Sequence, residues 1–158
     1  MSFCTNEVLT LASGIWQTIG SPTSVSVGFI SGWITSSGGM LGDINMKLDS
    51  CFYVSGDSPC IAGGFGPQEA YIASLMYESN YYELKSLTAL AGLGVPWTNM
   101  KEGDTSVTRE STVSISKQYL SLNANAQNQM RIAMHDYKLN KSLPGTVDGS
   151  DLYSFPSP

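Results

Sequence analysis

Residues 112–140 carry an apolar stripe that only a long helix makes continuous. Ile115, Tyr119, Leu122, Ala126, Met130, Ala133 and Tyr137 advance by steps of three and four, the spacing of one helical face. Lys117, Asn123, Gln127, Asn128 and Arg131 fall on the opposite face. A helix of this length has an apolar side that it cannot bury alone. The pattern predicts a helix over about 112–140.

A second helical stretch is "GPQEAYIASLMYESNYYELKSLTALAGLGVP". Pro67 suits a first helical turn, and Glu69 places negative charge at the positive end of the helix dipole. Ile72, Leu75, Met76, Tyr82 or Glu83, Leu87 and Leu90 keep helical spacing, and Gly92, Gly94 and Pro96 stop the run. The pattern predicts a helix over 67–91. Tyr71, Tyr77, Tyr81 and Tyr82 wrap around more than one face, so some of them meet a partner or a second wall of protein.

Upstream, Val27, Ile30, Ile34, Leu41, Ile44, Leu48 and Cys51 or Phe52 recur at helical steps. They predict a helix over about 23–50, with Ser21 or Thr23 as cap and Pro22 at its start. Gly38 and Gly39 interrupt it and either bend it or admit another backbone, at about 1 kcal/mol each relative to Ala. Residues 1–20 hold Val8, Leu9, Leu11, Ile15, Trp16 and Ile19 at the spacing of a short helix or packing arm, weakened by Gly14 and Gly20. Residues 53–66, "YVSGDSPCIAGGFG", read as a loop.

Between the two long helices lies "NMKEGDTSVTRES", the most charge-dense stretch of the chain. Gly103 between Glu102 and Asp104 is a hairpin turn signal, and Thr105, Val107 and Arg109 share one side of a strand. An isolated two-stranded element is marginal in water, so this one is expected to be held by a neighbouring molecule, the alternative being a mobile solvent loop that joins the two helices. Trp97, Lys101, Glu102, Asp104, Val107 and Arg109 are its candidate contact residues. After the last helix, "SLPGTVDGSDLYSFPSP" has no periodicity. Tyr153 and Phe155 are out of place in a purely solvated tail, and such segments order on a partner. The expected fold is therefore mainly α: a bundle of three to four helices with a β-hairpin flap before the last long helix and an extended C-terminal tail. One domain spans 1–141, including the arm at 1–20 and the hairpin at 97–110. A docking tail spans 142–158.

Composition narrows the function. Only 13 % of the 158 residues are charged, about half the usual ~25 %. A surface filled with Ser, Thr, Asn and Gly is cheaper to bury against other protein, because fewer ions lose their water. That points to permanent assembly, although a secreted or halotolerant composition gives the same signature. Net charge is −5, and the eight Lys and Arg residues are scattered, which disfavours direct nucleic-acid binding. The cysteines, Cys4, Cys51 and Cys60, form no C-x-x-C pair, so reduced thiols are expected over a zinc site or a Cys51–Cys60 loop. The N-terminus lacks the basic and apolar regions of a signal peptide. No apolar run is long enough to span a membrane.

No catalytic set can be assembled. His135 is the single histidine, and Asp136 beside it on a helix does not face it. Asp43, Asp49 and Asp57 do not make an EF-hand loop, and neither "GGMLGD" nor "AGGFG" fits a nucleotide-binding fingerprint. "GGFGPQE" precedes a helix N-terminus, where an anion can bind, but loop chemistry explains it more simply. The expectation is a protein that is not an enzyme, with no catalytic residues, cofactor or metal.

The segment from "LAGLGVPWTNMKEGDTSV" to "RIAMHDYKLN" resembles the last third of tailed-phage head–tail connector (adaptor, neck) proteins. The resemblance rests on the loop Glu102-Gly103-Asp104-Thr105-Ser106-Val107, set between two helices, and on the pair Tyr137-Lys138 near the end of the last helix. It extends over roughly residues 23–140; the 1–20 arm and the double glycine at 38–39 have no counterpart in it. It implies a structural subunit of the virion neck, assembled in the host cytoplasm. Such a subunit forms a cyclic homo-oligomer, typically a dodecamer, below the portal protein. That ring extends the DNA channel, with double-stranded DNA only as passing cargo, and joins the portal to tail-completion or stopper proteins. The C-terminal segment would dock on the portal, with Leu143, Val147, Leu152, Tyr153 and Phe155 as its apolar contacts. The alternatives are another virion protein, such as a tail terminator or capsid-associated protein, and a small helical module that binds a peptide or protein.

Overall fold

A computed structural model describes residues 6–36, 39–55, 60–91, 99–102, 105–108 and 112–142. Among them are five helices and two short antiparallel hairpins. The first helix, α1 (Asn6–Thr18), buries Val8, Ala12 and Ile15 along one face. Gly20 ends it in the left-handed region, at φ +86°. The Gly20 N–H donates to Gln17 O and the Ser21 N–H to Trp16 O, a Schellman cap that satisfies two of the last carbonyls. The indole of Trp16 donates to Val25 O at 2.8 Å and ties the following turn to α1.

The helix expected over 23–50 is two helices, α2 (Val27–Thr35) and α3 (Met40–Leu48). Ser26, rather than Ser21 or Thr23, caps α2 by accepting the Phe29 N–H at 3.1 Å. Helix α2 stops at Thr35 and α3 starts afresh at Met40, a break and not a bend. At Gly39 a Cβ would collide with the backbone carbonyl of Trp33, so the two helices approach more closely there than a side chain allows.

The stretch expected to be a loop holds a small hairpin, β1 (Tyr53–Ser55) with β2 (Cys60–Ala62), in which Val54 faces Ile61. Asn45 fixes its start: its carboxamide accepts the Phe52 N–H at 2.6 Å and donates to Phe52 O at 2.8 Å. Phe52 then meets Phe65 edge-on, with ring centroids 5.2 Å apart. Cys51 and Cys60 are not joined by a disulfide, while Cys4 lies outside the described residues.

The long helices come next: α4 (Pro67–Ala91) and α5 (Thr112–Ser142). Between them β3 (Asn99–Glu102) pairs with β4 (Thr105–Thr108), with Met100 opposite Val107. At the start of α4 the Glu69 carboxylate accepts the Gly66 N–H at 2.8 Å, one half of a capping box. The two helices run antiparallel, since Ser79 meets Asn123, Tyr82 meets Tyr119 and Ser86 meets Ser116.

The main core lies at one end of this pair. It gathers Ile30, Ile34, Met40, Ile44, Ile61, Phe65 and Ile72, and closes on Tyr77 of α4 and Tyr137 of α5. Met130, Ala133 and Met134 pack on its edge. Among the described residues, none beyond Tyr81 on α4 or before Met130 on α5 belongs to that core.

There the seam departs from the expected stripe. Leu87, Leu90 and Leu122 are exposed, while Ser79, Ser86, Ser116 and Asn123 are buried. Asn123, expected on the polar face, lies in the seam. The reason is the repeat length. Ser116, Asn123, Met130 and Tyr137 recur every seven residues, as do Tyr119, Ala126 and Ala133, and Ile72, Ser79 and Ser86 on α4. A seven-residue repeat keeps one face on the partner along a whole antiparallel pair; it takes in Tyr119, Ala126, Met130, Ala133 and Tyr137 of the expected stripe, leaves Leu122 outside, and brings Ser116 and Asn123 in.

Candidate functional site

The distal half of α4 and the first turns of α5 form an arm. Beyond Tyr81, α4 runs about ten more residues at 1.5 Å each, roughly 15 Å past the main core, and in chain order the β3–β4 hairpin comes between the two helices. Its interior is polar. The Ser79 hydroxyl donates to Asn123 Oδ1 at 2.7 Å, the Ser116 hydroxyl to Ser86 O at 3.2 Å and the Ser86 hydroxyl to Glu83 O at 2.8 Å. Small seam residues let the two backbones come close. A single Asn in such a seam fixes register at some cost in stability.

Its exterior is the opposite. Leu84, Leu87 and Leu120 are each about half exposed (52, 55 and 48 %), and Val113 is exposed as well. Each residue turns the helix by about 100°. Counted from the seam, Leu84 and Leu87 turn to the same side of the antiparallel pair as Val113 and Leu120, with Lys117 among them. Tyr82 and Tyr119 turn the other way, where their rings stack with centroids 6.4 Å apart. Tyr81 meets Tyr82 edge-on at 5.5 Å, and Lys85 reaches Ser24 at 3.2 Å. The tyrosine side therefore leans on the body, and the leucine side faces outward. Burial pushes the Tyr81 and Tyr82 hydroxyls above their ordinary range, reinforced by the neighbouring tyrosines and, for Tyr82, by Glu78. Burial also raises the Glu78 carboxyl.

Towards the base, the leucine side continues into an open groove of about 950 Å³. Residues of α4 form its floor, with α2 and α3 on one side and α5 on the other. Trp33, Met76, Met130 and Met134 give it apolar surface, and Lys47, Arg131 and Lys138 give it positive charge, against Asp43 and Glu83. His135 lines it too. Its Nδ1 lies 3.6 Å from Asp136 Oδ1, closer than neighbouring helix positions predict, but both side chains are largely in water (70 and 66 % exposed). Among the described residues, no three His, Cys, Asp or Glu side chains gather as metal ligands. No described helix is long and apolar enough to cross a membrane.

Of the residues expected to mediate contacts, Lys101 and Glu102 stand on β3 and Val107 on β4. Trp97, Asp104 and Arg109 lie outside the described residues, as do Leu143, Val147, Leu152, Tyr153 and Phe155. The outward leucines of the arm and the basic groove were not singled out from sequence. Their signal was the seven-residue repeat, which puts Ser and Asn in the seam and leaves the leucines outside. Compared with family models, curated proteins and solved structures, the chain matches none.

Proposed function

We propose that this chain is a structural assembly subunit that joins copies of itself through the α4–α5 arm into a closed ring. The observation that carries this reading is the inverted polarity of the arm, with Ser79, Ser86, Ser116 and Asn123 inside and Leu84, Leu87, Val113 and Leu120 outside. A helical arm that directs its apolar side chains into water is built to be covered by protein. On the body, Phe29 of α2 and Met46 of α3 are exposed as well, and either offers a neighbouring arm an apolar contact. Two different surfaces on one subunit are what a head-to-tail, ring-closing contact requires.

Within that class, the resemblance of the hairpin segment to tailed-phage adaptors favours a ring in a virion neck, between a portal and tail-completion or stopper proteins. The acidic balance of the chain, −5 overall, suits a ring through which DNA passes without sticking. Electron microscopy of the purified protein and of virions tests the reading. Closed rings, and the same density at the neck, are expected. A monomer absent from particles overturns it. A second reading, a helical module that binds a peptide, draws on the groove, and it predicts a soluble monomer in the same images.

A further inference from the structure

The groove at the base of the arm suits one occupant within reach. Three of the eight cationic residues of this acidic chain, Lys47, Arg131 and Lys138, line it, against two carboxylates, Asp43 and Glu83; Asp49 also stands 3.9 Å from Lys138, a solvent-exposed pair of the weak kind that a docked carboxylate can displace. Its apolar surface is Trp33 with three methionines, and methionine adapts its shape to irregular partners. A ligand for this surface is acidic, extended and armed with aromatic side chains.

The chain's own sequence supplies that chemistry. After Lys141 there is no further cation, and Asp148 and Asp151 are followed directly by Leu152, Tyr153 and Phe155. The geometry is favourable. Helix α5 ends at Ser142, one turn past the groove residue Lys138. From Arg131 to that end is eleven residues of helix, or roughly 16 Å. Pro144-Gly145 is a turn signal, and from there an extended return run at about 3.3 Å per residue carries Asp148 roughly 8 Å and Asp151 roughly 18 Å back along α5. A chain that reverses at Pro144-Gly145 therefore brings Asp148 and Asp151 level with Lys138 and Arg131.

We propose that the groove between α3, α4 and α5 is the docking site for residues 148–155 of the same chain. Asp148 pairs with Lys138 and Asp151 with Arg131, and Tyr153 and Phe155 settle against Trp33 and the methionines. The proposal does not depend on ring formation. If the chain does form a ring, docking withholds these residues from other partners until assembly.

The test uses the full chain with a benzophenone amino acid in place of Phe155, irradiated as an equal mixture of ¹⁴N- and ¹⁵N-labelled protein. Benzophenone inserts readily at methionine, so cross-links to Met76, Met130 or Met134 are expected, each within one isotopic chain. Reversing the exposed charges with Arg131→Glu and Lys138→Glu lowers their yield about fivefold, with thermal melts confirming that the fold persists. Cross-links to other surfaces, or none, overturn the proposal. So do cross-links chiefly between heavy and light chains, which assign the groove to a neighbour's segment, and a yield unmoved by charge reversal in a folded variant.

Discussion

Replacing Ser79 by Ala removes one hydroxyl from the seam of the arm and tests whether that seam is real. Asn123 is 8 % exposed, and its Oδ1 accepts the Ser79 hydroxyl at 2.7 Å. Without that donor, a buried carbonyl oxygen loses its bond and water does not readily replace it. Such a loss costs about 1–3 kcal/mol. For a chain of this size, about 2 kcal/mol lowers Tm by roughly 4–8 °C. Adding Asn123→Leu, which branches at the same carbon, removes the stranded group and places apolar surface in the seam. The double variant is therefore expected to return to wild-type stability or exceed it. Urea unfolding followed by circular dichroism, at one fixed protein concentration, measures both. The reasoning fails if Ser79→Ala lies within about 0.5 kcal/mol of wild type, the usual scatter for surface changes, or if the double variant is less stable than either single one.

Three further expectations follow from local contacts. Gly39→Ala drives a Cβ into the backbone carbonyl of Trp33 and should cost about 1–3 kcal/mol in the same unfolding measurement. Glu69→Ala removes the acceptor for the Gly66 N–H and should cost about 1 kcal/mol, whereas Glu69→Gln, which keeps an acceptor oxygen, should cost much less. Burial raises the Glu78 carboxyl in the folded state, so the stability linked to it is fully present below the unfolded-state value of about 4.3 and lost as pH rises through the folded value. Glu78→Gln should therefore melt above wild type at pH 7, with the difference vanishing below about pH 4.

Most of the helical architecture was legible because ordinary signals agree. Pro67 and Glu69 open α4, and it ends at Ala91, just before Gly92, so the 67–91 boundaries hold. The periodicity predicted α5 over 112–140, and it continues to Ser142. The β3–β4 hairpin stands where Gly103 predicts it. The double glycine was ambiguous between a bend and a close approach, and only the position of the Trp33 carbonyl decides for the approach. Ser26 was passed over as a cap because Pro22 favoured an earlier helix start. The β1–β2 hairpin was hidden by its Gly, Ser and Pro content. The arm failed for a deeper reason. Hydrophobic periodicity assumes that the apolar residues of a helix face its partner, and between Ser79 and Asn123 they do not. A rule built on burial misreads a surface that another molecule is meant to bury.

The account therefore stands on whether the leucine face is an interface. Leu84, Leu87 and Leu120 are each about half exposed, so covering the remainder contributes roughly 1 kcal/mol apiece, or about 3 kcal/mol for each contact between subunits. That corresponds to a more than hundredfold change in association. Sedimentation velocity of the wild-type chain, beside a Leu84→Lys, Leu87→Lys, Leu120→Lys variant, reads this directly. The account predicts one large closed species for the wild type and a folded monomer for the variant over the same concentrations. A wild type that stays monomeric, or a variant that assembles equally well, contradicts it.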